Sequence, residues 1–117
     1  MTTPNIKTAA TFTAHNAVAD AGTTYAAIVS NASTSNALQK VSTVTICNIT
    51  AATSCGVSVA VSNGTSYFHL LAGLAVTASI TPVTRETPIY LGEGDSLCIH
   101  AQTAGHIQVI VGYETVQ

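Results

Sequence analysis

The regular alternation of apolar and small residues next to an Asn-Gly pair constrains this chain more than any other feature. Val57, Val59 and Val61 alternate with serine and alanine, which is the period of a β-strand with one buried face. Asn63-Gly64 follows directly, and this pair favours a type I′ hairpin turn because both central residues need positive φ. The stretch therefore predicts a β-hairpin with a two-residue turn.

The two-residue turn also predicts which residues face each other across the hairpin. It places Val59 opposite Phe68 on the buried face. Two positions further along, it places Val57 opposite Leu70, and a shift of one residue would turn this whole apolar set toward solvent. Gly64 is expected at positive φ, where a β-branched residue would strain the turn.

The same alternation recurs along most of the chain after residue 40. It predicts eight or nine short strands, separated by turn signals at spacings near ten residues, and it includes no long helix. Gly92, Gly94 and Asp95 lie in one such signal, where we expect a tight turn with a side-chain hydrogen bond from Asp95. The fold class predicted is all-β, an antiparallel two-sheet β-sandwich of jelly-roll or Greek-key type, with the strand order left open.

The N-terminal third is patterned more weakly than the rest. Residues 6–13 and 23–30 read as strands, whereas residues 14–21 have a loose helical spacing that supports one or two turns. We expect one domain, in which residues 1–40 form an N-terminal arm and the first strand or strands. Two interpretations of the arm stay open, a contact with a neighbouring subunit and an ordinary edge strand. Residues 41–117 are expected to form the sandwich core.

Charge is unusually scarce in this chain. Charged residues make up 7% of the sequence, against about 25% in an average soluble domain, and none occurs between Val41 and Thr84. Solitary sheet proteins usually place charges on exposed faces and edges to stay monomeric. We therefore expect other subunits to cover these surfaces. A threonine-rich ice-binding or adhesive face is the alternative, but the 19 threonines follow no regular repeat.

Several classes of partner are not expected. The net charge is −2 and the three basic residues are scattered, whereas nucleic-acid binding needs a clustered basic surface. No apolar run approaches 18 residues, so no membrane partner is expected, and the N-terminus lacks the pattern of a signal peptide, which favours a cytoplasmic site of synthesis. The cysteines are expected to be reduced and to serve mainly in packing; they are Cys47, Cys55 and Cys98.

The best candidate cluster for metal chemistry is Cys98, His100 and His106. If the last two strands pair, His100 lies opposite His106, with Cys98 beside them on the outward face. Thiolate and imidazole are zinc ligands, but structural zinc sites use four protein ligands and no CxxC or HxxxH spacing is present. We favour a polar patch at a subunit contact, and we expect neither a metal nor a cofactor.

The sequence evidence for a catalytic site is equally weak. The chain has five carboxylates, and alternation brings no two of them together. There is no G-x-S-x-G elbow, no glycine-rich phosphate loop, and no Cys/His pair with an orienting third group. We therefore expect no catalytic residue and no enzymatic activity.

Three motifs bear a family resemblance. They are V-T-I-C-N at residues 44–48, P-I-Y-L-G-E-G-D-S-L at residues 88–97, and the closing G-Y-E at residues 112–114. In this order, over residues 41–114, they resemble small all-β structural proteins of tailed bacteriophages. The resemblance implies a virion component, and it brings no catalytic residues with it.

Within that group, the expected role is a capsid decoration (cement) subunit. The implied partners are copies of the chain itself, with a homotrimer expected, and other virion proteins such as the major capsid protein. The implied location is the virion, assembled in the host cytoplasm. The alternative is a tail-associated or tail-fibre subunit that recognises host glycans, for which Tyr67 and Tyr90 are the outward-facing aromatic candidates.

Overall fold

The computed structural model of the protein describes residues 12–50, 54–76, 83–86 and 88–117. These residues form nine strands in two antiparallel sheets, and they include no helix. The predicted all-β, two-sheet sandwich is therefore confirmed.

Sheet A contains five strands, which are β1 (Phe12–Asp20), β3 (Leu38–Asn48), β6 (Val83–Arg85), β7 (Ile89–Leu91) and β9 (Ile107–Val116). Their order is β1-β9-β3-β6, and β7 also pairs with β3. Sheet B contains four strands, which are β2 (Ala26–Ser30), β4 (Cys55–Ser62), β5 (Tyr67–Val76) and β8 (Ser96–Ala101). Their order is β2-β8-β4-β5.

The core lies between the two sheets and is built from alternate residues of the long strands. Alternation predicts inward positions on β3, β8 and β9, and most of them are buried; they include Val44, Ile46, Leu97, Ile99, Ala101, Ile107, Val109 and Val111, whereas Tyr113 is only partly buried. Each of the larger side chains contributes about 1.5–3 kcal/mol when it leaves water. Alternation therefore identified the buried face of these strands correctly.

Two buried asparagines tie the sheets together. Asn31 follows β2, and its Nδ2 donates to the carbonyl oxygens of Ala37 at 2.9 Å and Leu91 at 2.8 Å. Asn48 ends β3, and its Nδ2 donates to the carbonyl oxygen of Val76 in β5 at 2.9 Å. Buried carbonyls need such donors. Each amide thus connects a segment of one sheet with a segment of the other.

The turn between β7 and β8 has the predicted form. The Asp95 amide donates to the carbonyl oxygen of Gly92 at 3.1 Å, and the Gly92 amide donates to the Asp95 carboxylate at 3.1 Å. Gly94 has a φ of 86°, a conformation that glycine adopts without steric cost. The turn is therefore tight, and the Asp95 side chain closes it.

The β4–β5 hairpin is present, but its predicted turn type is wrong. Ser62 pairs with Tyr67, which leaves a four-residue loop in place of a two-residue turn. Asn63 Oδ1 accepts hydrogen bonds from the backbone amides of Thr65 at 3.0 Å and Ser66 at 2.9 Å. The asparagine side chain therefore closes the loop itself, as in an Asx turn, and Asn63 keeps a negative φ.

The longer loop changes the register of the hairpin. Phe68 pairs with Val61 and not with Val59, which pairs with Leu71. Two register shifts follow along β4, so that Val57 pairs with Leu74 and not with Leu70. The predicted partners of Val59 and Val57 are therefore wrong, because the longer loop and two β-bulges shift β5 along β4.

Gly64 does adopt the expected positive φ, at 97°. We expect Gly64→Val to lower the free energy of unfolding by about 1–3 kcal/mol, because a β-branched residue is strained there. Gly64→Asn is expected to cost much less, since asparagine tolerates this conformation. Denaturant unfolding of the purified variants measures both.

Gly22→Val is the control for this substitution. Gly22 has no positive φ, and a Cβ built there meets nothing within 4 Å among the described residues. The same side chain should therefore be tolerated at position 22. Equal losses at both positions would mean that backbone strain is not the cause.

The N-terminal third differs from prediction in one element. Residues 14–21 fall within and directly after β1, an edge strand that pairs with β9 from Phe12 to Asp20, and they form no helical turn. Nine residues of β1 pair with β9, and this pairing stabilises a strand more than the weak helical spacing favours a helix. Residue 40 also lies inside β3, while the predicted strand over residues 6–13 lies largely outside the described residues.

Candidate functional site

The outer face of sheet B is the most distinctive surface of the molecule. None of its four strands contains Asp, Glu, Lys or Arg. Instead, four rings meet there, which we call the ring cluster; they are Tyr25, Tyr67, His69 and His100. An uncharged face with grouped rings is typical of a contact surface and not of a solvated one.

Tyr25 holds the ring cluster together. It lies just before β2, and its ring stacks on Tyr67 of β5 at a centroid distance of 4.4 Å. It also stacks on His100 of β8 at 5.0 Å, and its hydroxyl forms a 2.7 Å hydrogen bond with Nε2 of His69. Ala60 of β4 lies between β5, which contains His69, and β8, which contains His100. It is fully buried, because the larger side chains around it cover it.

A slot lies beside the ring cluster on the same face. It has a volume of about 400 Å³ and is lined by Gly56, Ser58, Gly73, His100 and Gln102. Ser58 Oγ accepts a hydrogen bond from the Gly73 amide at 2.9 Å. Gln102 Oε1 accepts one from the Gly56 amide at 3.3 Å. The slot is therefore small and open to solvent, and it combines polar groups with a larger apolar part of its lining.

The three candidate metal ligands are not arranged as predicted. β8 belongs to sheet B and β9 to sheet A, so the two strands do not pair, and His100 lies opposite Ser58 and not His106. Cys98 is buried with its Sγ 3.5 Å from Ser96 Oγ. Among the described residues, no three His, Cys, Asp or Glu side chains are grouped to hold a metal ion. The assumed pairing of the last two strands is wrong.

The other predicted site residues are dispersed. Tyr67 and Tyr90 are both exposed, but they lie on different sheets, and only Tyr67 belongs to the ring cluster. A ligand role for either stays a prediction. All three cysteines are free thiols.

Sequence reasoning missed Tyr25, the residue that organises the cluster. Tyr25 precedes a strand with two partly apolar faces, so no alternation marked it as outward. The available signal was the outward phase of His69 and His100 on strands without charge. Two lone imidazoles on such strands need polar or aromatic neighbours, and Tyr25 contacts both of them.

Sheet A carries a second, more apolar groove on its outer face. Its volume is about 520 Å³, and its walls include Val18 of β1, Ile110 of β9 and Thr45 of β3. Val18 is 74% exposed and pairs directly with Ile110, which is 51% exposed. Large exposed apolar side chains at neighbouring positions indicate a contact surface.

Comparison with known proteins identifies the fold. No protein-family model and no curated protein matches the chain. Among solved structures, a chain from the acidic stable capsid structure of Helicobacter pylori bacteriophage KHP30 is similar, with 14% identity and a TM-score of 0.60. The match covers 93% of this chain and 90% of that chain.

A pentameric capsid protein isolated from metagenomic phage sequences is also similar, at 18% identity and a TM-score of 0.46. The match covers 87% of this chain but 60% of that protein, so the present chain spans about three fifths of its length. At 14% identity, the likeness to the KHP30 chain shows the fold alone. In the described ranges, no helix is long and apolar enough to cross a membrane.

Proposed function

We propose that this protein is a non-enzymatic structural subunit of a bacteriophage virion. The observation that carries the proposal is the likeness to the KHP30 capsid chain, which extends over nine tenths or more of both chains. A likeness of this extent concerns the whole sandwich and not one shared hairpin. The phage motifs found in the sequence support the same role from separate observations.

Within the virion, the proposed role is that of a capsid decoration (cement) subunit. Cement subunits work by contact, so they need surfaces that are stable only when covered. Both sheets have such a surface, namely the uncharged outer face of sheet B and the apolar groove of sheet A. No chemical step is assigned to either surface.

The edge of sheet B supports contacts between neighbouring subunits. β5 is an edge strand of ten residues with no charge and no proline, and among the described strands it pairs only with β4. Solitary proteins usually protect such an edge, because its unpaired amides and carbonyls can add a further strand. We call this surface the β5 edge.

Phe68 leaves a large apolar surface uncovered at the β5 edge of the single chain. It pairs with Val61 and so shares its face, and Val61 packs against the hydrophobic core. Phe68 is nevertheless 62% exposed. An apolar side chain from a neighbouring subunit would cover the ring and extend the core across the contact. At about 25 cal/mol per Å² of apolar area, a contact of ordinary size offsets the entropy lost on association.

The proposed assembly is a homo-oligomer held together by this edge. A homotrimer stays a prediction, since one chain does not define a subunit number. Light scattering on the purified protein after size exclusion measures it directly. The major capsid protein is the proposed partner beneath the oligomer.

Purified phage particles provide the test of the virion role. Mass spectrometry should find the protein in particles, and cryo-electron microscopy should place it in many symmetry-related copies on the shell. A few copies confined to the tail would favour the tail-fibre alternative over cement. Absence from particles would contradict both versions.

A further inference from the structure

The slot on the outer face of sheet B presents hydrogen-bond donors that the fold leaves unused. Ser58 Oγ accepts from the Gly73 amide, and its own hydroxyl proton has no acceptor among the described residues. Gln102 uses its carbonyl oxygen toward the Gly56 amide, which leaves both protons of Nε2 unused within the described chain. Two side chains of the slot thus offer unpaired donors, while the oxygen of each already accepts one hydrogen bond.

His100 supplies a third donor, because its surroundings determine its tautomer. Nδ1 of His100 is buried and has no hydrogen-bond partner among the described residues. A buried N–H without an acceptor is costly, so the neutral ring carries its proton on Nε2. His100 lines the slot, and Nε2 is the donor of its imidazole in this tautomer.

The lining of the slot also includes an imidazole ring and stretches of backbone without side chains, which a ligand can approach closely. Tyr25 stacks on His100 and holds the imidazole in place. Gly56 and Gly73 have no side chains, so the backbone itself forms part of the lining. The volume of about 400 Å³ lies within the range of small-molecule sites.

We propose that this slot binds a sugar that carries a carbonyl or carboxylate oxygen, as N-acetylated and acidic sugars do. A sugar ring offers an apolar C–H face for the imidazole and polar groups at its edge for the three donors. Three donors at one site favour a ligand that carries a strong acceptor. The strands of sheet B contain no carboxylate that would repel an acidic sugar. The proposal does not depend on the virion role.

Titration of ¹⁵N-labelled protein with three sugars, followed by amide spectra, tests the proposal. The sugars are N-acetylglucosamine, glucuronic acid and glucose. We expect saturable shifts at Gly56, Ser58, Gly73 and the Gln102 side chain with one of the first two, which also identifies the acceptor group. Glucose lacks both groups and should bind at least about tenfold more weakly. Equal binding of glucose, or no shift with any of the three, overturns the proposal.

Gly56→Thr tests the location of the site without loss of the fold. A Cβ at Gly56 lies 3.4 Å from Gln102 Oε1, an ordinary contact with a flexible side chain, and threonine favours strands. The added side chain enters the slot, so sugar binding should be lost while the thermal midpoint is maintained. Sugar binding by a folded Gly56→Thr variant at the wild-type level would place the ligand elsewhere.

Gln102→Leu tests the donors separately. It removes the Nε2 protons from an exposed side chain, and we expect at least about tenfold weaker binding of the sugar. Gln108→Leu is the matched control, because Gln108 is exposed on sheet A, away from the slot. Equal weakening in both variants would show that the Gln102 donors do not contact the sugar.

Discussion

Replacing Asn31 with leucine is expected to lower the free energy of unfolding by about 2–4 kcal/mol. The substitution keeps the branched shape of a buried side chain, although leucine is larger, and removes both N–H donors that bind the carbonyl oxygens of Ala37 and Leu91. Each buried acceptor left without a partner costs about 1–3 kcal/mol. Denaturant unfolding of the purified variant measures the loss as a lower midpoint with an unchanged slope.

Asn16→Leu is the matched control for this loss. Asn16 is exposed on the edge strand β1, so the same change of side chain there should alter stability by less than about 0.5 kcal/mol. The comparison separates the buried hydrogen bonds from the general effect of a leucine. Similar losses at both positions would contradict a structural role for Asn31 between the sheets.

Asn31 also illustrates what sequence alone does not reveal. The segment from residue 31 to residue 36 has the composition of a loop, and it lies between β2 and β3. Composition does not say that the first residue of the loop is buried. Its two acceptors are 6 and 60 residues away along the chain, so only the folded arrangement defines them.

The buried faces of the strands were predictable because burial follows a local period. In β8, Leu97, Ile99 and Ala101 alternate with more polar residues, and all three are buried. The tight turn that precedes β8 was predictable for a similar reason, since Gly94 and Asp95 are chemically suited to it. These features depend on residues only a few positions apart.

The partner of each strand was not predictable from the same pattern. Alternation shows which side of a strand is buried, but it does not show which of the two sheets the strand joins. Consecutive strands are usually neighbours, which favoured pairing β8 with β9. The sandwich instead assigns them to opposite sheets, and the proposed cluster of Cys98, His100 and His106 depended on that pairing.

The hairpin shows a competition between two local preferences of one residue. Asn63 favours a two-residue turn when followed by glycine, but its side chain can also bind the amides beyond that glycine. The second arrangement satisfies the amides of Thr65 and Ser66, and the loop lengthens by two residues. Phe68 then pairs with Val61 near the end of the sheet, where the core no longer covers it.

That exposed ring leads to the prediction with the largest expected effect on assembly. Phe68→Lys should weaken self-association by about 30-fold or more, the equivalent of at least 2 kcal/mol for an aromatic anchor of an interface. In the single chain, the lysine stem can lie over Val61 while its ammonium group stays in water. In the assembly, the same ammonium group would be buried without a partner. Light scattering of the variant and its incorporation into particles measure the effect.

Ile49→Lys separates a contact at the β5 edge from a general effect of added charge. Ile49 is 50% exposed, close to the 62% of Phe68, but it lies in the loop before β4, at the opposite end of that strand from the hairpin. Both variants gain one positive charge, and both replace an exposed apolar side chain, so solubility and net charge change alike. If the β5 edge joins neighbouring subunits, Phe68→Lys remains a folded monomer while Ile49→Lys assembles. Equal assembly of the two variants would remove the β5 edge from the contact and leave the outer faces of the sheets as the surfaces to test.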